Sequence, residues 1–88
     1  MDPIVALITG AGRGIGRALA IGFAKAGIDL ILTARTADQL DQTKKECEML
    51  GRKVVAVPAD VGKYDEVQKV VQAGLATFGK IDILINHP

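Results

Sequence analysis

The sequence has 88 residues, 49% of them apolar and 24% charged, which is the composition of one small globular domain. A chain of this size buries only about 60 to 65% of the surface it exposes when unfolded, which leaves little stability to spare and little room for a complete enzyme. Eleven basic and ten acidic side chains give a net charge of +1, which excludes a long-range field for nucleic acid or an anionic membrane and makes any basic site local.

Residues 1–3 lead directly into Ile4-Val5-Ala6-Leu7-Ile8, with no basic segment, signal core or cleavage pattern ahead of it. This apolar run does not alternate, as expected of a strand covered by helices on both faces. Residues 28–33 have the same character despite Asp29, and residues 53–57 and 81–85 supply a third and a fourth run, so four buried strands are expected. Between the first two, Ile15, Ala18, Leu19, Gly22, Phe23 and Ala26 recur at helical spacing, Arg17 and Lys25 point elsewhere, and Gly27 stands where a helix-closing glycine belongs. The second helix begins at Thr36, with Gln39 three residues later in a capping-box pattern, and its face carries Leu40, Thr43, Cys47 and Leu50 before Gly51. The third shows Tyr64, Val67, Val70 or Val71, Leu75 and Phe78 on one side and stops at Gly79, while Gly74 inside it marks close packing on the sheet.

The order β-α-β-α-β-α-β predicts an α/β fold of three layers, α/β/α, with four parallel strands in the order 3-2-1-4 and helices on alternate faces once the strand order reverses. That is an incomplete doubly wound sheet, one partial domain over residues 1–88. No run reaches the roughly 20 apolar residues of a membrane span. Cys47, the lone cysteine, forms no internal disulfide and reads as a helix-face residue, in keeping with a reducing, cytoplasmic setting. No metal site is expected, because no histidine or second cysteine lies at ligand spacing from it.

The chemistry gathers at Thr9-Gly10-Ala11-Gly12-Arg13-Gly14-Ile15-Gly16, between the first strand and the first helix. A turn there has to be tight, admit phosphate oxygens to the backbone and aim unpaired helix N–H groups at them, and glycines at a helix start meet these needs. The spacing is not the common dinucleotide fingerprint, because Ile15 and Arg17 stand five residues after Gly10 and Gly12. Nor does it match the phosphate loop of nucleoside triphosphatases, which argues against ATP or GTP hydrolysis. What remains, Thr-Gly-x-x-x-Gly-Ile-Gly in a strand-turn-helix setting, resembles the short-chain dehydrogenase/reductase family.

The resemblance implies cofactor contacts at Thr9, Gly10, Gly12, Arg13, Gly14, Ile15 and Gly16. The second strand ends at Ala34, where an acidic side chain would select NAD, and Arg35 follows it. Arg35 is suited to a 2′-phosphate, and Arg13 resembles the second basic residue of NADP-preferring members, so NADP is the expected cofactor and NAD the less favoured one. The competing reading makes both arginines ordinary solvated charges. Asp60-Val61 after the third strand corresponds to the pair that lies along the adenine, although Asp60 is equally suited to a turn or helix cap. Asn86 matches the first residue of the family's Asn-Asn-Ala-Gly, whereas His87 and Pro88 depart from it. His87 invites a catalytic reading, but one residue from the end of the sequence and with no evident carboxylate partner it reads as mobile surface.

The resemblance covers essentially the whole chain and corresponds to about the first third of a typical family member. The serine, tyrosine and lysine through which those enzymes exchange a carbonyl for an alcohol lie beyond it. The sequence has no serine, and its one tyrosine, Tyr64, is followed four residues later by Gln68, so no catalytic residue is assigned and the chain alone is expected to be inactive. The fourth strand is expected at an open edge, to be met by self-association or by a complementing chain. The alternative is a non-catalytic nucleotide-binding or interaction module, a natural truncation or an engineered minimal fold.

Overall fold

The structure, a computed structural model, describes residues 2–87; Met1 and Pro88, the latter a departure from the family pattern, lie outside the described residues. Four of the non-alternating runs form strands, Val5–Ile8 (β1), Asp29–Ala34 (β2), Val54–Pro58 (β3) and Ile83–Ile85 (β4). They pair in parallel in the order β3-β2-β1-β4, joined by the helices Gly14–Lys25 (α1), Ala37–Met49 (α2) and Tyr64–Phe78 (α3). Strand period sorts the core into two sets. Ala6, Ile8, Leu30 and Leu32 face α1 and α2, whereas Val5, Leu7 and Ile31 face α3, so the three-layer arrangement is as expected.

Apart from Ala34, β1 and β2 are buried along their length; β3 and β4 are the two edges and only partly covered, which for β4 is the open edge expected from the strand order and for β3 corrects the expectation of a buried strand. Leu30, Ile31 and Leu32 have no exposed surface, and at about 1.5 to 3 kcal/mol for each buried side chain this one strand is the main anchor of both layers. Asp29 is tolerated in it because its Oδ1 accepts the Lys53 N–H at 3.2 Å and lies 3.8 Å from Arg52 Nη1.

The helix faces differ in an instructive way. For α1 the expected stripe was displaced: Ile15, Ala18, Gly22 and Ala26 are exposed, and the buried positions are Gly16, Ala20 and Ala24. The helix approaches the sheet through its smallest residues, spaced four apart, while Leu19 and Phe23 pack at the side of that seam. Arg17 does not simply point away; it is half-buried and pairs with Glu46 of α2. For α2 the expected Leu40, Thr43 and Cys47 are buried, but Leu50 is exposed. Burial, with the adjacent Glu46 carboxylate, raises the Cys47 thiol to about 11, which suits a structural residue. In α3 only Val70 and Gly74 are buried, and a Cβ at Gly74 would overlap the Ile31 side chain, as the close-packing expectation required. Gly27, Gly51 and Gly79 follow or close the three helices at positive φ.

The last ladder is shorter than the expected run over residues 81–85 because of Asp82. Val5 donates its N–H to Asp82 Oδ2 at 2.8 Å, Asp82 returns its own N–H to the Val5 carbonyl at 2.9 Å, and regular pairing begins one residue later at Ala6 and Ile83. The Val5 N–H, and after it Lys80 at 3.1 Å, hold the Asp82 carboxyl below its ordinary value of 3.8. Because the folded value is the lower one, this stabilisation is complete above the ordinary value and disappears as pH falls through the folded one. Asp82→Asn should therefore lower the urea midpoint near neutral pH and converge on wild type in acid. A midpoint equal to wild type at neutral pH would refute the clamp.

Candidate functional site

All four strands end on the same side as the start of α1, and their backbones are tied together there. Thr9 donates its N–H to the Ile85 carbonyl at 2.9 Å, Ala11 to the Thr33 carbonyl at 3.0 Å and Ala59 to the Ala34 carbonyl at 3.0 Å. The Thr9 hydroxyl donates to Asn86 Oδ1 at 2.8 Å and accepts the His87 N–H at 2.8 Å. The chain leaving β4 is thereby held against the turn that leaves β1.

Two glycines make that turn possible. At Gly10, where φ is +62°, a Cβ would overlap the His87 carbonyl oxygen, and at Gly16 it would overlap the Gly10 carbonyl oxygen. The first turn of α1 therefore rests on bare backbone. Arg13 is the N-cap residue and no side chain caps the helix, so its first N–H groups keep no partner within it. Beside them Gly14, at φ +59°, has nothing within 4 Å of where a Cβ would stand. Together these features leave an open, polar rim on the helix terminus.

The rim borders a cavity of about 590 Å³ lined by Gly10, Gly12, Arg13, Gly14, Ile15, Ala34, Arg35, Thr36, Gln39, Ala59, Val61 and His87. Of the residues expected from sequence, it brings together Gly10, Gly12, Arg13, Gly14, Ile15, Ala34, Arg35 and Val61. Thr9, Gly16, Asp60 and Asn86 do not line it. Gly16 lies beneath Gly10, while Thr9 and Asn86 form the clamp just described and border a second cavity on the α3 face. Asp60 Oδ1 accepts the Gly62 N–H at 2.9 Å and lies 3.6 Å from Arg35 Nη2, so in this structure it is a turn residue and a partner of Arg35.

Four lining residues were missed or misread. Thr36 is the N-cap of α2 but makes no side-chain cap bond, so the capping-box expectation fails, and both Thr36 and Gln39 border the cavity. The Gln39 Cβ lies 3.2 Å from where a Gly12 Cβ would stand. Ala59 carried no sequence signal beyond preceding Asp60. His87 is not loose surface, because its backbone is fixed by Thr9 and it lines the cavity. Tyr64 is 74% exposed, accepts a hydrogen bond from Gln68 Nε2 at 3.0 Å and does not line this cavity. No group of three or more metal-ligating side chains occurs among the described residues, and no helix among them is long and apolar enough to cross a membrane.

The short chain dehydrogenase family matches residues 4–87. The chain belongs to that family. An uncharacterised oxidoreductase of Mycobacterium tuberculosis is 37% identical over 87 residues, which cover 99% of this chain and 33% of the relative. A short chain dehydrogenase/reductase from Burkholderia phymatum, solved in complex with NAD, superposes with a TM-score of 0.90 at 38% identity and covers 94% of this chain and 30% of its own. A variant of actinorhodin polyketide ketoreductase, solved with NADPH, gives a TM-score of 0.91 at 34% identity, covering 98% and 33%. The chain thus spans about a third of the length of the relatives it matches and corresponds to the cofactor-binding portion of this dehydrogenase fold.

The close approach at Gly16 and the left-handed backbone at Gly14 should be separable by mutation. Gly16→Ala sets a methyl against a backbone oxygen and is expected to cost about 1 to 3 kcal/mol. Gly14→Ala meets open space and pays only for its left-handed backbone, about 1 to 2 kcal/mol. Urea unfolding checks both, with Gly16→Ala expected at the lower midpoint; the reverse order would mean that the seating of α1 on Gly10 is not the tight contact.

Proposed function

We propose that this chain is the NADP(H)-binding portion, residues 1–88, of a short-chain dehydrogenase/reductase that acts in the cytoplasm. The observation that carries the reading is the cavity itself, where an uncapped helix start and two arginines converge and the position after the last buried residue of β2 is Ala34 rather than a carboxylate. A pyrophosphate fits the rim, because an anion there meets free N–H groups and the positive end of the helix dipole. Gly10, Gly12, Gly14 and Ile15 supply that surface, while Thr9, Gly16 and Asn86 keep it in place. Arg35 and Arg13 receive the 2′-phosphate through charge-assisted hydrogen bonds, and Ala34 offers no charge to repel it. Val61 borders the adenine, with Asp60 beside it at the cavity edge and paired with Arg35.

When bound, the dinucleotide donates or accepts a hydride; every other step of carbonyl reduction or alcohol oxidation needs groups that these 88 residues do not provide. The sequence contains no serine, and Tyr64 stands apart from the cavity. We therefore take the chain alone to bind cofactor without turning it over.

Titration followed by the fluorescence of the reduced nicotinamide tests the cofactor reading. NADPH is expected to bind at least about tenfold more tightly than NADH, the scale of one charge-assisted hydrogen bond, and Ala34→Asp to reverse the order. Equal affinities for the two would sink the preference.

The partner assigned to this chain, besides the dinucleotide, is a second copy or a complementing chain at β4. Leu84 is 65% exposed on this edge strand. It borders a cavity of about 320 Å³ with Leu7, Val71 and Thr33. The Thr33 hydroxyl is buried there without a partner among the described residues. Such a face favours association. Light scattering after size exclusion should give a mass above 9.3 kDa that falls on Leu84→Lys. A monodisperse monomer at high concentration would refute it.

A further inference from the structure

Resting on the cofactor reading above, we propose that Asp60 sets how strongly the site discriminates between phosphorylated and unphosphorylated adenosine ligands, by competing with the ligand's 2′-phosphate for Arg35. The bond from the Ala59 N–H to the Ala34 carbonyl, 3.0 Å, levels the ends of β2 and β3, so the residues that follow, Arg35 and Asp60, leave the sheet side by side. Their charged groups meet 3.6 Å apart at the edge of the cavity that Arg35 lines.

The two partners are not equally mobile. Asp60 is held at three atoms: its Oδ1 accepts the Gly62 N–H at 2.9 Å, its N–H donates to Glu66 Oε1 at 2.9 Å, and its carbonyl accepts the Lys63 N–H at 3.0 Å. Arg35 has a side chain 79% exposed, and Asp60 is its only ion-pair partner among the described residues. A ligand bearing a 2′-phosphate therefore either draws the guanidinium off a fixed carboxylate or shares it, with two anions on one cation. A ligand with a free 2′-hydroxyl faces no such conflict. Asp60 thus weakens a preference that Arg35 creates, by the worth of one exposed ion pair.

The test uses the full chain, wild type and the variants Asp60→Asn, Arg35→Gln and both together, each titrated with adenosine 2′,5′-bisphosphate and with adenosine 5′-monophosphate. These probes differ only in the 2′-phosphate. Asparagine keeps the oxygen that receives the Gly62 N–H, so the turn survives while the charge is removed. The ratio of the two affinities is expected to rise about two- to fivefold in Asp60→Asn. It should stay unchanged when the same replacement is made beside Arg35→Gln, which makes the coupling visible as a double-mutant cycle. An unchanged or lower ratio in Asp60→Asn overturns the proposal and leaves the cofactor reading intact, as does an equal rise without Arg35, which would be direct repulsion of the ligand. If wild type binds neither probe, the cofactor reading falls and the proposal falls with it.

Discussion

The contact on which this structure turns is one between two stretches of backbone. The first turn of α1 sits on the Gly10 carbonyl because Gly16 has no side chain, and Gly10 in turn lies against the carbonyl of His87 for the same reason. Two missing methyl groups bring the ends of β1, α1 and β4 into one layer. Once they are stacked, the unpaired N–H groups of the helix have only one direction in which to point, toward the cavity over the strand ends. Nothing about the charge of the protein is needed for this; it follows from steric access.

The same economy governs how α1 lies on the sheet. Ala20 and Ala24 continue the seam begun by Gly16, so the helix lies close to β2 and its N-terminus stays fixed in height relative to the strand ends. On the opposite face Gly74 performs a comparable task for α3, which comes close enough to be stopped by Ile31. A helix seated on large side chains would stand further out, and small differences in rotamer would move its terminus. Seams of small residues therefore convert packing into positional precision at the site, while the large buried residues of β2 supply most of the cohesion.

This explains what was legible in the sequence. Strand order and alternation of faces follow from non-alternating apolar runs and a crossover rule, and both appear in the structure. The buried face of α1 was not legible in the same way, because a search for large apolar residues passes over glycine and alanine, and these are what a closely seated helix buries. The edge strand β3 read as fully covered because periodicity reports how apolar a run is, not whether a neighbour exists to cover it, whereas the open edge at β4 followed from the strand order. Gln39 was hidden by a plausible local role: three residues after Thr36 it suits a capping box, yet no cap bond forms and it borders the cavity beside Gly12. His87 was hidden by its place at the end of the sequence, when it was the Thr9 hydroxyl, far away in sequence, that fixed it.

Charge enters last and acts locally. With a net charge of +1, the chain as a whole draws no anion from a distance, so the positive character of the cavity has to come from the helix terminus, Arg13 and Arg35. These are not equivalent. The helix terminus is fixed and faces the cavity whatever occupies it, whereas Arg35 reaches across solvent to a carboxylate that the turn after β3 holds rigidly. A fixed dipole favours any anion of the right shape; a mobile cation with a competing partner responds to how much negative charge the ligand carries. The backbone thus fixes where an anion of the right shape can lie, while the pairing of Arg35 with Asp60 makes the charge at the cavity edge depend on what else Arg35 meets.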